Sequence, residues 1–70
     1  MRVRLPEHRL TDELTIALRA AGCVSVTGEI GELYVGLPTA SDRHEELVEL
    51  TFFLRAWQAR CSAGELELEA

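Results

Sequence analysis

The chain has little that could staple it together. Its two cysteines, Cys23 and Cys61, stand far apart and form no CxxC pair. In an otherwise ordinary composition this points to a reducing compartment rather than a disulfide framework, and no zinc-ligand spacing is present. Lysine and asparagine are absent altogether, which we read as a codon bias with no bearing on chemistry. Cations are few: seven arginines stand against twelve acidic residues, for a net charge of -5. Such a chain lacks the electrostatic footprint of a nucleic-acid binder. No apolar run approaches the length of a membrane span. The first residues, Met1 to Pro6, lack the apolar core of a signal peptide. The expected location is the cytoplasm, with no cofactor, no metal, no membrane and no nucleic acid as partner.

What is present is an order of short amphipathic segments. Seventy residues make one domain, residues 1–70. A domain of this size buries only about 60% of the surface that its unfolded chain exposes, so its stability is marginal. With neither disulfide nor metal to help, self-association is the expected supplement.

Residues 2–5 alternate Arg, Val, Arg, Leu, the period-2 signature of a strand with Val3 and Leu5 inward; Pro6 ends it. Thr11 offers a helix N-cap, with Asp12 and Glu13 in the first turn. Leu14, Ala17, Leu18 and Ala21 fall on one helical face, and Gly22 is placed to end the helix. Residues 23–27 and 32–37 alternate again as two strands, joined by a turn at Glu29-Ile30 between Gly28 and Gly31. Ser41 or Thr39 is the expected cap of a second helix running to about Cys61, and Glu65 to Glu69 alternate as a last strand.

This βαββαβ order predicts an α+β, ferredoxin-like fold: a four-stranded antiparallel sheet in the order 4-1-3-2 with both helices on one face. The first and last strands then lie side by side. Their outward residues are Arg2 and Arg4 on one, Glu65, Glu67 and Glu69 on the other, and opposite charges across antiparallel neighbours stabilise by ~0.2–1 kcal/mol per pair.

Two features predict a contact surface. The second strand lies at an edge without charge or proline, although edges are normally guarded. Val24 and Val26 are therefore candidate interface residues, as is Tyr34, outward on a central strand beside Gly36. On the second helix, Leu47, Leu50, Phe53, Leu54, Trp57 and Cys61 form a core-facing arc. Val48, Phe52, Ala56 and Ala59 make a further stripe. Either that stripe is a contact surface, with Val48 and Phe52 at its centre, or Phe52 packs against the first helix. His8 with Cys61, or His44 with Cys23, could pair a nucleophile with its base, but no third orienting group accompanies either pair. Tyr34 could stack a base, yet the basic, aromatic-rich motif of such modules is missing between Gly31 and Pro38.

Val26-Thr27-Gly28-Glu29, the Leu33 and Val35 alternation, and Asp42, Glu45, Glu46, Leu47 and Phe53-Leu54 together resemble the ligand-binding domain of Lrp/AsnC-type regulators, an ACT-like domain. The resemblance implies dimers formed through the sheets, with an amino acid or other small metabolite bound near the hairpin turn. It would place Thr27, Gly28 and Glu29 in the turn near the ligand. Ile30 and Gly31 stand where that family usually has an aromatic and an aspartate, and Gly31 and Tyr34 complete our own candidate ligand site with Gly28 and Glu29. The expected function is a non-enzymatic, stand-alone small-ligand-binding or regulatory module acting as a homodimer or higher homo-oligomer. The alternatives are an interaction adaptor using the bare edge or the Phe52 stripe, and a small enzyme using His8 and Cys61.

Overall fold

The computed structural model describes residues 1–61 and 64–69. The elements are β1 (Arg2–Arg4), α1 (Leu10–Ala20), β2 (Val24–Thr27), β3 (Glu32–Gly36), α2 (Arg43–Cys61) and β4 (Glu67–Glu69). The fold is α+β, an open four-stranded antiparallel sheet with two helices. The strands lie in the order β2-β3-β1-β4, which reads 4-1-3-2 when counted from the β4 edge.

Alternation decides which side of the sheet is covered. Val3 stands opposite Leu33 on one side and Leu68 on the other. Val3, Leu33 and Val35 are buried with Leu10, Leu14 and Leu18 of α1 and with Leu50, Leu54 and Trp57 of α2. Both helices therefore cover the same face. The opposite face carries Arg2, Arg4, Glu32, Tyr34, Glu67 and Glu69, with Val24 and Val26 at the β2 edge.

Several boundaries differ from the sequence reading, each for a local reason. Leu5 lies beyond β1, although it stays buried and its N–H donates to the Gly31 carbonyl at 2.7 Å. Cys23 lies before β2, because its N–H is taken by the Leu18 carbonyl at the end of α1, 2.9 Å away. Leu37 falls outside β3; its N–H donates to the Glu46 carboxylate instead.

Thr11 is not the N-cap of α1. The helix starts at Leu10 after Arg9, which has helical backbone angles and makes no side-chain cap. The carbonyls of Glu7 and His8 accept the N–H groups of Leu10 and Thr11, so the chain is already turning before a side-chain cap is needed. The cap of α2 is neither Ser41 nor Thr39 but Asp42, whose Oδ1 accepts the Glu45 N–H at 2.8 Å. Cys61 is exposed rather than in the core, and the last strand starts at Glu67, leaving Glu65 outside it.

Gly22 ends α1 as expected. With Ala21 as the C-cap, the Cys23 N–H reaches the Leu18 carbonyl and the Gly22 N–H reaches the Arg19 carbonyl, a Schellman closure. Gly22 sits at φ 83° with nothing within 4 Å of where a Cβ would stand. Gly22→Ala is therefore expected to destabilise by about 1 kcal/mol through backbone strain alone, read as a shifted urea midpoint with an unchanged slope.

Candidate functional site

The open face of the sheet divides into two halves. On the β1–β4 half, Arg2 is paired with Glu69, and Arg4 Nη1 lies 3.6 Å from Glu67 Oε2. The register sets these partners directly opposite one another, as the alternating Arg and Glu predicted.

The sequence reading missed a further partner. Glu32 of β3 is buried, at 6% exposure, on this same face. Its Oε2 lies 3.3 Å from Arg4 Nη2 and 3.9 Å from Arg2 Nη1, and its Oε1 accepts a hydrogen bond from the Tyr34 hydroxyl at 3.3 Å. Burial alone would raise the Glu32 carboxyl. The Arg4 hydrogen bond, the nearby Arg2 charge, the Tyr34 hydroxyl and the Glu29 backbone more than offset that, and hold it below the usual carboxylate range. Arg2 is held above its ordinary value, chiefly by its hydrogen bond to Glu69.

A carboxyl depressed in the folded state contributes stability above its unfolded value, about pH 4.3, and loses it as pH falls through the lower folded value. Melting temperature plotted against pH is expected to fall more steeply below that point for the wild type than for Glu32→Gln. Parallel curves would contradict the pairing.

The β2–β3 half is different in kind. Val24 and Val26 of β2 stand opposite Gly36 and Tyr34 of β3. Val24, Val26 and Tyr34 are exposed, at 55%, 67% and 47%. No charged residue interrupts β2. The turn that joins the strands closes when the Glu32 N–H donates to the Glu29 carbonyl at 2.9 Å, with Gly31 at φ 77°. Gly28 lies against the Tyr34 ring, so that an added Cβ would stand 2.7 Å from Tyr34 Cε2 and 3.0 Å from Glu32 Oε1.

The residues expected at a ligand therefore fall into two groups. Gly28 and Tyr34 meet, together with the unforeseen Glu32. Thr27 and Glu29 are exposed, whereas Gly31 is buried under the turn. The signal that would have found Glu32 was available. It shares the outward parity of Tyr34, and β3 lies beside β1 in the expected strand order.

The second apolar surface is on α2. Phe52 is 79% exposed, which excludes its packing against α1. With His44, Leu47, Val48, Thr51, Arg55 and Ala56 it lines a shallow, open, mostly apolar groove. The nucleophile pairs receive no support from their surroundings. Burial, and then the Glu49 charge, push the Cys23 thiol up, away from the reactive thiolate. His8 is exposed and lines a shallow depression with Pro6, Glu7 and Arg9, while exposed Cys61 ends α2. Among the described residues no group of three His, Cys, Asp or Glu side chains could hold a metal ion, and no helix is long and apolar enough to cross a membrane.

The chain matches no family model, and neither a curated protein nor a solved structure matches it.

Proposed function

We propose that this chain is a non-enzymatic binding module of ferredoxin-like architecture that works as a homo-oligomer, and that the β2 side of its sheet is the working surface. The observation that carries this reading is the unequal treatment of the open face. Arg2 and Arg4 are matched by carboxylates on both neighbouring strands, whereas Val24, Val26 and Tyr34 are left bare. Apolar side chains grouped at an unguarded edge are the chemistry of a contact surface, and a small domain gains stability from covering them.

Association couples folding to protein concentration, because only the folded state assembles. The melting temperature is expected to rise as the concentration is raised from micromolar to millimolar. A melting temperature that does not move would contradict the reading.

A second reading is favoured by the group of side chains gathered at Gly28. Gly28 packs directly against the Tyr34 ring edge and the Glu32 carboxylate, with no room there for a Cβ, and Arg4 stands beside them. Tyr34 and Arg4 are the exposed members of the group. An amino acid or similar small metabolite, carrying both charges and an apolar part, suits such a group, with Thr27, Glu29 and Gly31 shaping the turn around it. This is the ligand position that the resemblance to Lrp/AsnC-type ACT-like domains implies. A ligand there would regulate the module by binding one assembly state more tightly than the other. A thermal-shift screen with amino acids is expected to raise the melting temperature of the wild type and not of Gly28→Val, in which the added side chain displaces the Tyr34 ring. Equal shifts in both proteins would remove the turn from consideration.

A further inference from the structure

We propose that β2 pairs antiparallel with β2 of a second copy, about a two-fold axis at Ser25, to make one sheet continuous across both copies. The proposal rests on the self-association reading above and specifies its geometry.

The backbone fixes which groups are free. The Gly28 N–H donates to the Glu32 carbonyl at 3.0 Å, on the β3 side. Backbone groups alternate along a strand, so Val24 and Val26 also direct theirs to β3, while Ser25 and Thr27 direct theirs away from the sheet. The same parity holds one strand further in: the Val35 N–H donates to the Met1 carbonyl at 2.8 Å, on the β1 side. The Cys23 N–H is already taken by Leu18. Among the described residues none bonds the outward groups of Ser25 and Thr27.

The opposite edge is not equivalent. There β4 has three residues, of which the middle one, Leu68, points its backbone outward, between two carboxylates.

The occupant follows from the sequence of the edge. Val24-Ser25-Val26 reads the same in both directions about Ser25, so a two-fold axis there sets like chemistry against like. Ser25 N–H then meets the partner's Ser25 carbonyl, and Thr27 N–H meets the partner's Cys23 carbonyl. Val24 falls opposite the partner's Val26 on the open face, in the non-hydrogen-bonded position where side chains lie closest. Moving the axis to Val26 would leave Val24 opposite a glycine. Moving the register by one residue would set open-face side chains against helix-face ones. The edge carries no charge, so two chains of net charge -5 meet where neither repels the other.

The test uses the wild-type chain in solution. In a half-labelled sample, isotope-filtered NOEs are expected between Val24 methyls and the partner's Val26 methyls. Hydrogen exchange at the Ser25 and Thr27 amides is expected to slow by about tenfold or more between dilute and concentrated protein. A dimer in which those amides exchange freely, or whose intermolecular NOEs arise at Phe52, would overturn this pairing and leave self-association standing. A monomer at every concentration would overturn both. Ser25→Pro removes an outward donor without touching the β2–β3 ladder and is expected to yield a folded monomer by circular dichroism and light scattering. A folded Ser25→Pro dimer would overturn the pairing, and should that variant fail to fold, the wild-type exchange and NOE results decide.

Discussion

Leu54→Ala is expected to remove a large share of this protein's stability. Leu54 has no exposed surface and belongs to the cluster that joins both helices to Val3, Leu33 and Val35 of the sheet. Truncating a fully buried leucine costs about 2–5 kcal/mol, through lost transfer free energy and the cavity left behind. A chain of 70 residues at roughly 0.05–0.15 kcal/mol per residue has only about 3.5–10 kcal/mol to lose. Urea titration at fixed protein concentration should therefore find the variant partly unfolded before denaturant is added, or with a greatly lowered midpoint. Phe52→Ala, two positions away on the same helix, is the control. Its ring is exposed, and substitutions of that kind stay within about 0.5 kcal/mol. Equal losses for the two variants would mean that α2 turns a different face to the sheet.

The second large effect is on assembly. Val26→Asp places a carboxylate at the centre of the bare β2 side, opposite Tyr34. In a two-fold interface every substitution acts twice. Losing about 1.5–3 kcal/mol of apolar burial from each copy weakens association by roughly two to four orders of magnitude, before the cost of confining two like charges. The variant is expected to stay folded, because Val26 is exposed within its own chain, and to sediment as a monomer at concentrations where the wild type is associated. Phe52→Glu separates the alternatives. It should leave the mass unchanged if β2 is the contact, and should lower it if the groove on α2 is.

Much of the fold was legible because one-sided burial writes itself into alternation. Val3, Leu33 and Val35 reach the core because each stands next in sequence to a residue of the opposite face, Arg2 and Arg4 beside Val3 and Tyr34 between Leu33 and Val35. Gly22 was legible because a helix end at positive φ leaves few alternatives to glycine. The pairing of Arg2 and Arg4 with Glu69 and Glu67 was legible because charge and parity agree across one strand pair.

The misreadings share a different cause: they depend on where the chain goes next. Asp42 displaced Ser41 and Thr39 as the cap of α2 because the exit from β3 decides which of three capable side chains meets the Glu45 N–H. Thr11 lost its capping role to carbonyls of the preceding loop. Cys61 has the helical phase of Leu50 and Leu54 but lies at the end of α2, where it is exposed.

Glu32 was legible only through the strand order and not from its own neighbourhood. A buried carboxylate is costly unless paired, and nothing near residue 32 supplies a cation. Its partners Arg2 and Arg4 are brought alongside by the β1–β3 pairing, from the other end of the chain. The Phe52 stripe marks the opposite case. Its exposure was one of two open readings in the sequence, and the structure decides it, while α1 is buried through Leu10, Leu14 and Leu18 without it.

Sedimentation equilibrium of the wild-type chain, from micromolar to millimolar at neutral pH, addresses the central claim most directly. A bare β2 side that copies of the chain cover for one another predicts a mass that rises from 7.8 kDa toward twice that value. A mass that stays at the single-chain value up to the highest concentration would contradict it.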